Sequence, residues 1–382
     1  MSITGIGETV LDIVFRGGQP QAAVPGGSTF NAMISLGRTL GRKHPGVALR
    51  MVTQTGDDPV ADIVTAFMKE NRVSDEALVR SPGQSTVSLA LLDERSNAHY
   101  EFFRDRTLPA FEAPALDFGP GDIVLFGSFF AINPETREQT RALVRRARAA
   151  GAVVYYDINF RKNHNAADSL PQIEENIALS DIVRGSSEDI EALYGTTDAA
   201  AVYATHIAPL CANFICTKGA RETEVFSPGV HLHFPVPQDT PVVSTIGAGD
   251  NFNAGVVYAL TLSGRGPQPL RQQERTLSGN AVPTAVVPCL TVAEETRRSS
   301  ERPAESGTEP KAMSVAREPR GIVGGSAPSN VQHSPEGFIS AAQTPPSCRP
   351  ALDWSTIVPV AHAFSANVVA SLYNYVDPDF EP

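Results

Sequence analysis

Short apolar segments alternate along this chain with longer segments of helical periodicity, and this alternation restricts the fold more than any other feature. Four runs rich in β-branched or apolar residues predict strands: "LRMVT" at 49–53, "DIVLF" at 122–126, "AVVYYDI" at 152–158 and "NFICT" at 213–217. Amphipathic patterns predict helices at 28–41, 59–73 and 134–151. Nearly continuous apolar strands between helices are typical of a mostly parallel sheet covered on both faces. The sequence therefore predicts an open α/β sandwich.

One region departs from this alternation. Residues 86–104, "TVSLALLDERSNAHYEFFR", show a period of two on either side of a polar turn. This pattern predicts an antiparallel hairpin. We therefore expect a second, smaller sheet above the main one.

Residues 265–350 differ in composition from the rest of the chain. They contain 12 of the 30 prolines, nine arginines against one lysine, and no aspartate, tyrosine or tryptophan. Such a segment buries too little apolar surface to offset an ordering cost of roughly 1–2 kcal/mol per residue, which predicts disorder. A helical pattern resumes at 354–376, so we expect the core to be completed there. The segment is either a genuine insertion or sequence from outside the original reading frame or gene.

A glycine-rich turn leads into a helix at "STIGAGDNFNAG", residues 244–255. Backbone N–H groups at such a helix N-terminus bind anions, and Gly247 and Gly249 let a phosphate approach the main chain closely. Asp250 comes next, although a carboxylate repels phosphate. In phosphoryl transfer to an alcohol, such a carboxylate accepts the hydroxyl proton. Alternatively, Asp250 complements the helix N-terminus and has no catalytic role.

Charge and composition restrict the partner. The net charge is −11 and the isoelectric point is about 5.3, which disfavours binding to nucleic acid or to anionic membranes. No segment approaches the roughly 20 apolar residues of a membrane span, and no secretory leader is visible. Four cysteines without metal-binding spacing are too few for a disulfide framework. We therefore expect a cytoplasmic protein with a small-molecule partner, and neither a nucleic-acid nor a membrane partner.

Several motifs resemble, in order, those of the PfkB or ribokinase-like carbohydrate kinases. "STIGAGDNFNAG" is similar to the family signature DTxGAGDxFxAG, and "PGGSTFNAMISLGRTLG" at 25–41 is similar to its glycine pair and Asn before a helix. "GETVLDI" at 7–13 resembles the family's first strand with its sugar-binding Asp. "DINFR" at 157–161 resembles the strand end of the fructokinase and ketodeoxygluconate kinase branches, and "TKGA" at 217–220 resembles the phosphate-side turn.

The resemblance implies an organisation in three parts. Residues 1–264 would form a carbohydrate kinase core, a ribokinase-like three-layer α/β/α sandwich whose small lid sheet has strands near 10–25 and 86–106. The 265–350 segment has no counterpart in the family, and residues 351–382 would add a C-terminal helix to the core. The lid would exclude water and so prevent hydrolysis of ATP. Because lid strands in this family can pair, the resemblance also allows a homodimer through the lid.

The resemblance further implies a role for each matching residue. Asp250 would deprotonate the sugar hydroxyl, with Gly247, Ala248 and Gly249 as the anion hole. Carboxylate and amide side chains supply the paired acceptors and donors that a polyol requires. The residues expected to bind the sugar are Asp12, Gly27, Asn31, Arg104, Asn159 and Arg161. The residues expected to bind the nucleotide are Ser186, Thr217, Gly219, Thr245 and Asn367.

Two sites depart from the family pattern. Ser244 stands where the signature has its first Asp, a position that helps to form a monovalent cation site in relatives, so K⁺ is an open question as a cofactor. "SSED" at 186–189 aligns with the N-x-x-E motif that helps to organise magnesium and phosphate. A shorter acid can still reach Mg²⁺ through water, which makes Asp189 a candidate metal residue. ATP and Mg²⁺ are the expected cofactors.

Two histidines offer a separate metal hypothesis. His231 and His233 project to one face of a predicted strand and could chelate a metal ion. We favour an ordinary packed or solvated strand face.

The expected function is transfer of the ATP γ-phosphate to a primary hydroxyl of a small sugar. "DINFR" favours a keto-hexose or a keto-acid sugar, with fructose first and 2-keto-3-deoxygluconate, ribose or a nucleoside as alternatives. An alternative of another class is a catalytically silent sugar-binding protein, impaired by the 265–350 segment. An oxidoreductase on the same α/β layout is a further alternative, because a fold does not determine a function.

Overall fold

The computed structural model describes residues 1–93, 98–160, 165–263, 352–371 and 374–382. The strands are β1 (Ser2–Ile6), β2 (Val10–Arg16), β3 (Gln19–Gly26), β4 (Ala48–Gly56), β5 (Leu78–Ser81), β6 (Val87–Leu92), β7 (Ala98–Phe103), β8 (Ile123–Gly127), β9 (Val153–Asp157), β10 (Ile182–Ser186), β11 (Phe214–Thr217), β12 (Glu222–Ser227) and β13 (Val230–Pro235). The helices are α1 (Ser28–Lys43), α2 (Pro59–Glu70), α3 (Arg137–Ala149), α4 (Ala166–Ala178), α5 (Ser187–Tyr194), α6 (Ala199–Val202), α7 (Ala248–Leu262) and α8 (Trp354–Val369). Within these ranges no helix is long and apolar enough to cross a membrane. The predicted insertion at 265–350 lies outside the described residues and stays a prediction.

Among the described residues, nine strands form one large sheet in the order β13-β12-β11-β10-β9-β8-β1-β4-β5. Neighbouring strands from β11 to β5 are parallel, whereas β12 and β13 join the edge as antiparallel strands. All four strands predicted from the apolar runs lie in the parallel part of this sheet. The prediction of a mostly parallel sheet is therefore confirmed.

Two apolar cores lie on opposite faces of the large sheet. Strand β8 shows the alternation, since Ile123 and Leu125 belong to one core and Val124 and Phe126 belong to the other. The first core includes residues of α1, α2, α7 and α8, and the second includes residues of α3 to α6. Each fully buried side chain of this kind contributes roughly 1.5–3 kcal/mol relative to exposure. This arrangement confirms the predicted α/β/α layers and explains why the strands are apolar on both faces.

Helix α8 completes the first core. It packs so closely on α7 that a Cβ atom at Gly255 would lie 2.5 Å from the Cα atom of Ala361. The sequence predicted a longer helix, but α8 ends at Val369. The carbonyl of Val369 accepts hydrogen bonds from the backbone N–H groups of Val243 and Ser244. The loop before α7 thus replaces the next helical turn of α8.

A second sheet contains four described strands in the order β3-β2-β6-β7. Strands β6 and β7 pair antiparallel, which confirms the predicted hairpin, and β2 pairs parallel with β6. One expectation was wrong: "GETVLDI" does not form the first strand. Strand β1 ends at Ile6, and Gly7 makes a last backbone bond to Val52 before the chain leaves the large sheet. Asp12 consequently lies on β2 in the small sheet.

Candidate active site

Helix α7 begins at the glycine-rich turn that the sequence singles out. Gly247 precedes the helix with a φ of 77°, a left-handed conformation that favours glycine. A Cβ atom there would also lie 2.7 Å from the carbonyl oxygen of Asn374. Ala248, Gly249 and Asp250 are the first three residues of the helix. The turn therefore places N-terminal amides, at the positive end of the helix dipole, beside one carboxylate.

The first turn of α1 orients that carboxylate. Ser28 Oγ donates to Asp250 Oδ1 at 2.8 Å, and Asn31 Nδ2 donates to Asp250 Oδ2 at 2.8 Å. The two donors stabilise the negative charge on Asp250. The sequence predicted Asn31 as a site residue but missed Ser28, whose position directly after the glycine pair was the available signal.

A buried arginine lies behind the same turn. Arg184, on β10, is 7% exposed, and its Nη2 and Nη1 atoms would lie 3.0 and 3.2 Å from a Cβ atom at Gly249. Nη1 pairs with Asp157 Oδ1 at 3.0 Å, and Nη2 donates to Thr217 Oγ1 at 2.6 Å. Burial alone would lower the pKa of Arg184, but the attraction of Asp157 and Asp189 outweighs it and raises the pKa. A fixed positive charge thus lies behind the turn.

Asp157 anchors this ion pair to the core. Its Oδ2 accepts a hydrogen bond from Asn253 Nδ2 at 2.8 Å, and Asn253 Oδ1 accepts one from the Tyr155 hydroxyl at 2.8 Å. Burial, followed by the charge of Asp157, raises the pKa of Tyr155 well above its ordinary value, so this hydroxyl remains a donor. The chain of contacts joins β9, β10 and α7. The sequence missed Arg184 and Asn253, because their importance arises only from contacts across the sheet.

Asp12 approaches the turn from the small sheet. It is 5% exposed, accepts a hydrogen bond from Ser88 Oγ, and accepts one from Asn374 Nδ2 at 3.5 Å. The carbonyl of Asn374 accepts a hydrogen bond from Asn251 Nδ2 at 2.7 Å, just inside α7. Asn374 therefore connects the predicted sugar residue Asp12 with the predicted anion hole. No local motif marks Asn374, and the sequence missed it.

Gly27 and Arg104 are linked through Glu8. Gly27 has a φ of 120°, and a Cβ atom there would lie 2.2 Å from the carbonyl oxygen of Glu8, so only glycine fits before α1. The Glu8 carboxylate accepts two hydrogen bonds from Arg104, at 2.9 and 3.0 Å. The Arg104 guanidinium also lies over the rings of Phe102 and Phe129, and Arg104 lines an open cavity of about 580 Å³. These contacts bring the hairpin to the start of α1.

Three predicted residues on the nucleotide side lie near the ends of elements that border the turn. Thr217 ends β11 and is joined to the turn through Arg184. Gly219 follows with a φ of 58° and open space where a Cβ atom would lie. Thr245 is exposed in the loop before α7, and the neighbouring Ser244 is buried, with its Oγ accepting a hydrogen bond from a backbone N–H. Whether K⁺ binds near Ser244 stays a prediction.

Asp189 and Ser186 form a capping box at the start of α5. Asp189 Oδ2 accepts hydrogen bonds from Ser186 N at 2.6 Å and from Ser186 Oγ at 2.8 Å, and Oδ1 accepts one from Phe160 N at 2.7 Å. Burial raises the pKa of Asp189 above its ordinary value. With both oxygens engaged by neighbouring backbone groups, Asp189 does not fit direct coordination of Mg²⁺. A contact through water stays a prediction.

The remaining predicted residues are not joined to the turn by the hydrogen bonds described above. Asn159 has a φ of 37° just after β9, an uncommon left-handed conformation. Asn367 lies on α8, where its Oδ1 accepts a hydrogen bond from Asp377 N at 2.8 Å. Arg161 lies outside the described residues.

The match with known proteins identifies this chain as a sugar kinase. The family of pfkB carbohydrate kinases matches residues 16–271, and this chain belongs to that family. A fructokinase of Rhizobium leguminosarum bv. trifolii is 29% identical over 297 residues, which cover 70% of this chain and 87% of that protein.

Two solved structures show the same fold. The fructokinase of Vibrio cholerae O395, in its fructose, ADP and calcium ion bound form, has a TM-score of 0.60 at 22% identity. The match covers 68% of this chain and 84% of the fructokinase chain. The aminoimidazole riboside kinase of Salmonella enterica, complexed with aminoimidazole riboside and an ATP analog, has a TM-score of 0.58 at 23% identity, with coverage of 68% and 84%. The fold of this chain is therefore ribokinase-like.

Proposed function

We propose that this sugar kinase transfers the γ-phosphate of ATP to a primary hydroxyl of a small sugar, with fructose as its substrate. The observation that carries the proposal is the Asp250 carboxylate at the first turn of α7, oriented by Ser28 and Asn31. It lies directly after the amides at 247–249. One turn thus combines a proton acceptor with an anion site, as transfer of phosphate to an alcohol requires.

Asp250 acts as the general base. As the sugar oxygen attacks phosphorus, its hydroxyl proton becomes acidic and passes to a carboxylate oxygen of Asp250. The bonds from Ser28 and Asn31 hold the carboxylate in one orientation, so it need not reorganise during the reaction.

The amides of Gly247, Ala248 and Gly249 stabilise the negative charge on the transferred phosphoryl group. Arg184 supports them from behind, because the missing side chain at Gly249 lets its guanidinium approach the turn. Asp157 neutralises the charge of Arg184 overall, but the guanidinium is the part of this ion pair that faces Gly249, and a buried dipole is screened less by water than a surface charge would be. Arg184 acts through the turn and is a positioning residue.

The sugar binds between the small sheet and α1. Asn31 is 4% exposed, and its Oδ1 has no hydrogen-bond partner among the described residues. A buried acceptor without a partner costs about 1–3 kcal/mol, so a sugar hydroxyl that donates to it gains that energy. Asp12 supplies a second acceptor, and Arg104 lies at the edge of the hairpin, which we propose as a lid. Gly27, Asn159 and Arg161 remain proposed sugar contacts.

The nucleotide lies on the Arg184 side of the turn. Thr217, Gly219 and Thr245 would follow its phosphates, with Ser186 nearby and Asn367 towards the adenine. ATP would be used with Mg²⁺, which would neutralise part of the phosphate charge when bound. Since both carboxylate oxygens of Asp189 are engaged by neighbouring groups, Asp189 would hold the metal only through a bound water. Cytoplasmic localisation and a homodimer through the small sheet also remain proposals.

We propose fructose as the substrate, ahead of other sugars, for two reasons. "DINFR" resembles the branch that acts on keto-sugars, and the Rhizobium relative is a fructokinase. Aminoimidazole riboside is the second candidate, since a kinase with this fold was solved with that compound. 2-Keto-3-deoxygluconate and ribose are the remaining candidate substrates.

A coupled ADP-release assay over these four compounds tests the substrate. We expect the largest kcat/KM with fructose. A larger value for any other compound would replace fructose as the substrate and leave the kinase assignment intact.

A catalytically silent sugar-binding protein remains the alternative of another class. It predicts fructose binding without ATP binding or turnover. We propose that residues 265–350 are an insertion that leaves the site intact, so a chain lacking them should fold and turn over fructose at least as well as the full chain. Turnover that appears only after the deletion would identify the full chain as the silent form, whereas insolubility of the shortened chain would show that the segment is structural.

A further inference from the structure

The outer hairpin of the large sheet carries a cluster of metal-binding side chains that the proposed kinase reaction does not use. Strands β12 and β13 pair antiparallel, with Glu224 directly opposite His233 and Phe226 directly opposite His231. Alternate residues of a strand share a face, so Glu224, His231 and His233 project from the same side of the hairpin. The sequence identified the two histidines, and the strand pairing adds the carboxylate.

The three side chains converge on one point. His231 Nε2 lies 2.8 Å from Glu224 Oε2, the two imidazole rings are 4.4 Å apart, and one ligand atom from each of the three residues lies within 4.8 Å of the others. Four-coordinate Zn²⁺ binds imidazole nitrogen and carboxylate oxygen at about 2.0–2.2 Å. Small rotations of the two exposed imidazoles would bring the ligand atoms to these distances.

The carboxylate of the cluster is held in place. Glu224 is 4% exposed, and the ammonium group of Lys218 contacts its Oε1 atom, which leaves Oε2 directed at His231. Metal ligands are commonly fixed in this way by neighbours that do not bind the metal. Phe226 stacks on the His231 ring at 4.2 Å and restricts that ring as well.

A fourth ligand is available beside the cluster. Glu222 Oε2 lies 3.1 Å from His233 Nδ1, so its carboxylate can complete the set, or water can take that position. Two carboxylates and one ammonium give the cluster a net formal charge of −1, which favours a dication. Imidazole and carboxylate ligands together suit Zn²⁺ and its first-row neighbours better than Mg²⁺ or Ca²⁺, which prefer oxygen alone.

We propose that Glu224, His231 and His233 form a binding site for Zn²⁺ or a similar first-row divalent cation on the outer hairpin of the large sheet.

The test is a calorimetric titration of the full chain with Zn²⁺ after treatment with a chelator, without sugar or nucleotide. We expect one equivalent to bind, and we expect the double variant His231→Ala/His233→Ala to weaken this binding at least about tenfold. The side chains of His231 and His233 are 40% and 54% exposed, so their truncation leaves little buried space and the variant should fold. The matched control is His44→Ala/His99→Ala, which removes two exposed histidines elsewhere and should bind Zn²⁺ as the wild type does.

Co²⁺ at saturating concentration provides a second readout, which reports the coordination geometry. Tetrahedral coordination should give the wild type intense visible absorption, and the variant Glu224→Gln should lose it. Equal Zn²⁺ binding by the wild type and the double histidine variant, or no binding by the wild type, would overturn the proposal. Because the titration contains neither substrate, its outcome is independent of whether the protein phosphorylates fructose.

Discussion

Replacement of Arg184 by methionine removes the positive charge behind the glycine-rich turn and leaves its partner uncompensated. The side chains of Arg184 and Asp157 are 9% and 5% exposed, and they pair at 3.0 Å. Loss of one partner of a buried pair destabilises a protein by about 3–5 kcal/mol, because the other charge stays buried. Asn253 still donates to Asp157, so we expect Arg184→Met to lower the free energy of unfolding by about 3 kcal/mol.

A second substitution separates this stability effect from the effect on catalysis. Asp157→Asn removes the uncompensated charge, so the double variant Arg184→Met/Asp157→Asn should recover most of the lost stability. Its kcat should nevertheless remain roughly 10- to 100-fold below that of the wild type, since the proposed anion site at 247–249 has lost the guanidinium that supports it.

Urea unfolding followed by circular dichroism measures the stability, and the coupled assay measures kcat. Arg145→Met is the matched control, because Arg145 pairs with Glu175 at the surface and should matter little to either quantity. A wild-type kcat in the double variant would contradict a role of Arg184 in catalysis. Arg184 would then serve only to neutralise Asp157.

Two further substitutions test the turn and the core beside it. Gly247→Ala should reduce both kcat and thermal stability. The left-handed conformation costs a residue with a side chain about 1–2 kcal/mol, and the new Cβ atom would lie 2.7 Å from the Asn374 carbonyl oxygen. An unchanged melting temperature would contradict this prediction. His362 is buried, its Nε2 lies 2.9 Å from Thr223 Oγ1, and burial lowers its pKa from 6.5. Below pH 6.5 the unfolded chain therefore binds more protons than the folded chain. As the pH is lowered, this group reduces the free energy of unfolding by up to about 1.4 kcal/mol per pH unit. His362→Gln should make that fall shallower in urea unfolding at pH 5–7, and an equal slope in the variant and the wild type would contradict this.

Local periodicity predicted about half of the elements that build the fold, but it did not predict β5, β10, β12 or α4 to α6. Apolar runs gave β8 and β9 to within a residue or two, because strands buried on both faces must be apolar throughout. The hairpin of β6 and β7 was visible in its period of two. The end of α8 was not predictable, since Val369 stops the helix by bonding to a loop more than a hundred residues earlier.

Residues of the candidate site could be predicted only where they belong to a local sequence motif. Asp250 and the two glycines before it were recognisable from the turn itself, and the structure places them at the start of α7 as expected. Ser28, Arg184 and Asn374 were not predicted, because each acts through a contact with a residue that is distant in the sequence. Such contacts become visible only when the strands and helices are assembled.

Proton transfer from the sugar hydroxyl to Asp250 is tested most directly by single-turnover kinetics of Asp250→Asn, with enzyme in excess over ATP and with fructose saturating. Asparagine keeps the size of the side chain but cannot accept a proton in this way, so the chemical step should slow by about 10²–10⁴-fold. Fructose affinity, measured separately by calorimetry, should change by no more than a few-fold, and the exposed Asp239→Asn should behave as wild type. A phosphoryl-transfer rate in Asp250→Asn close to that of the wild type would contradict the account.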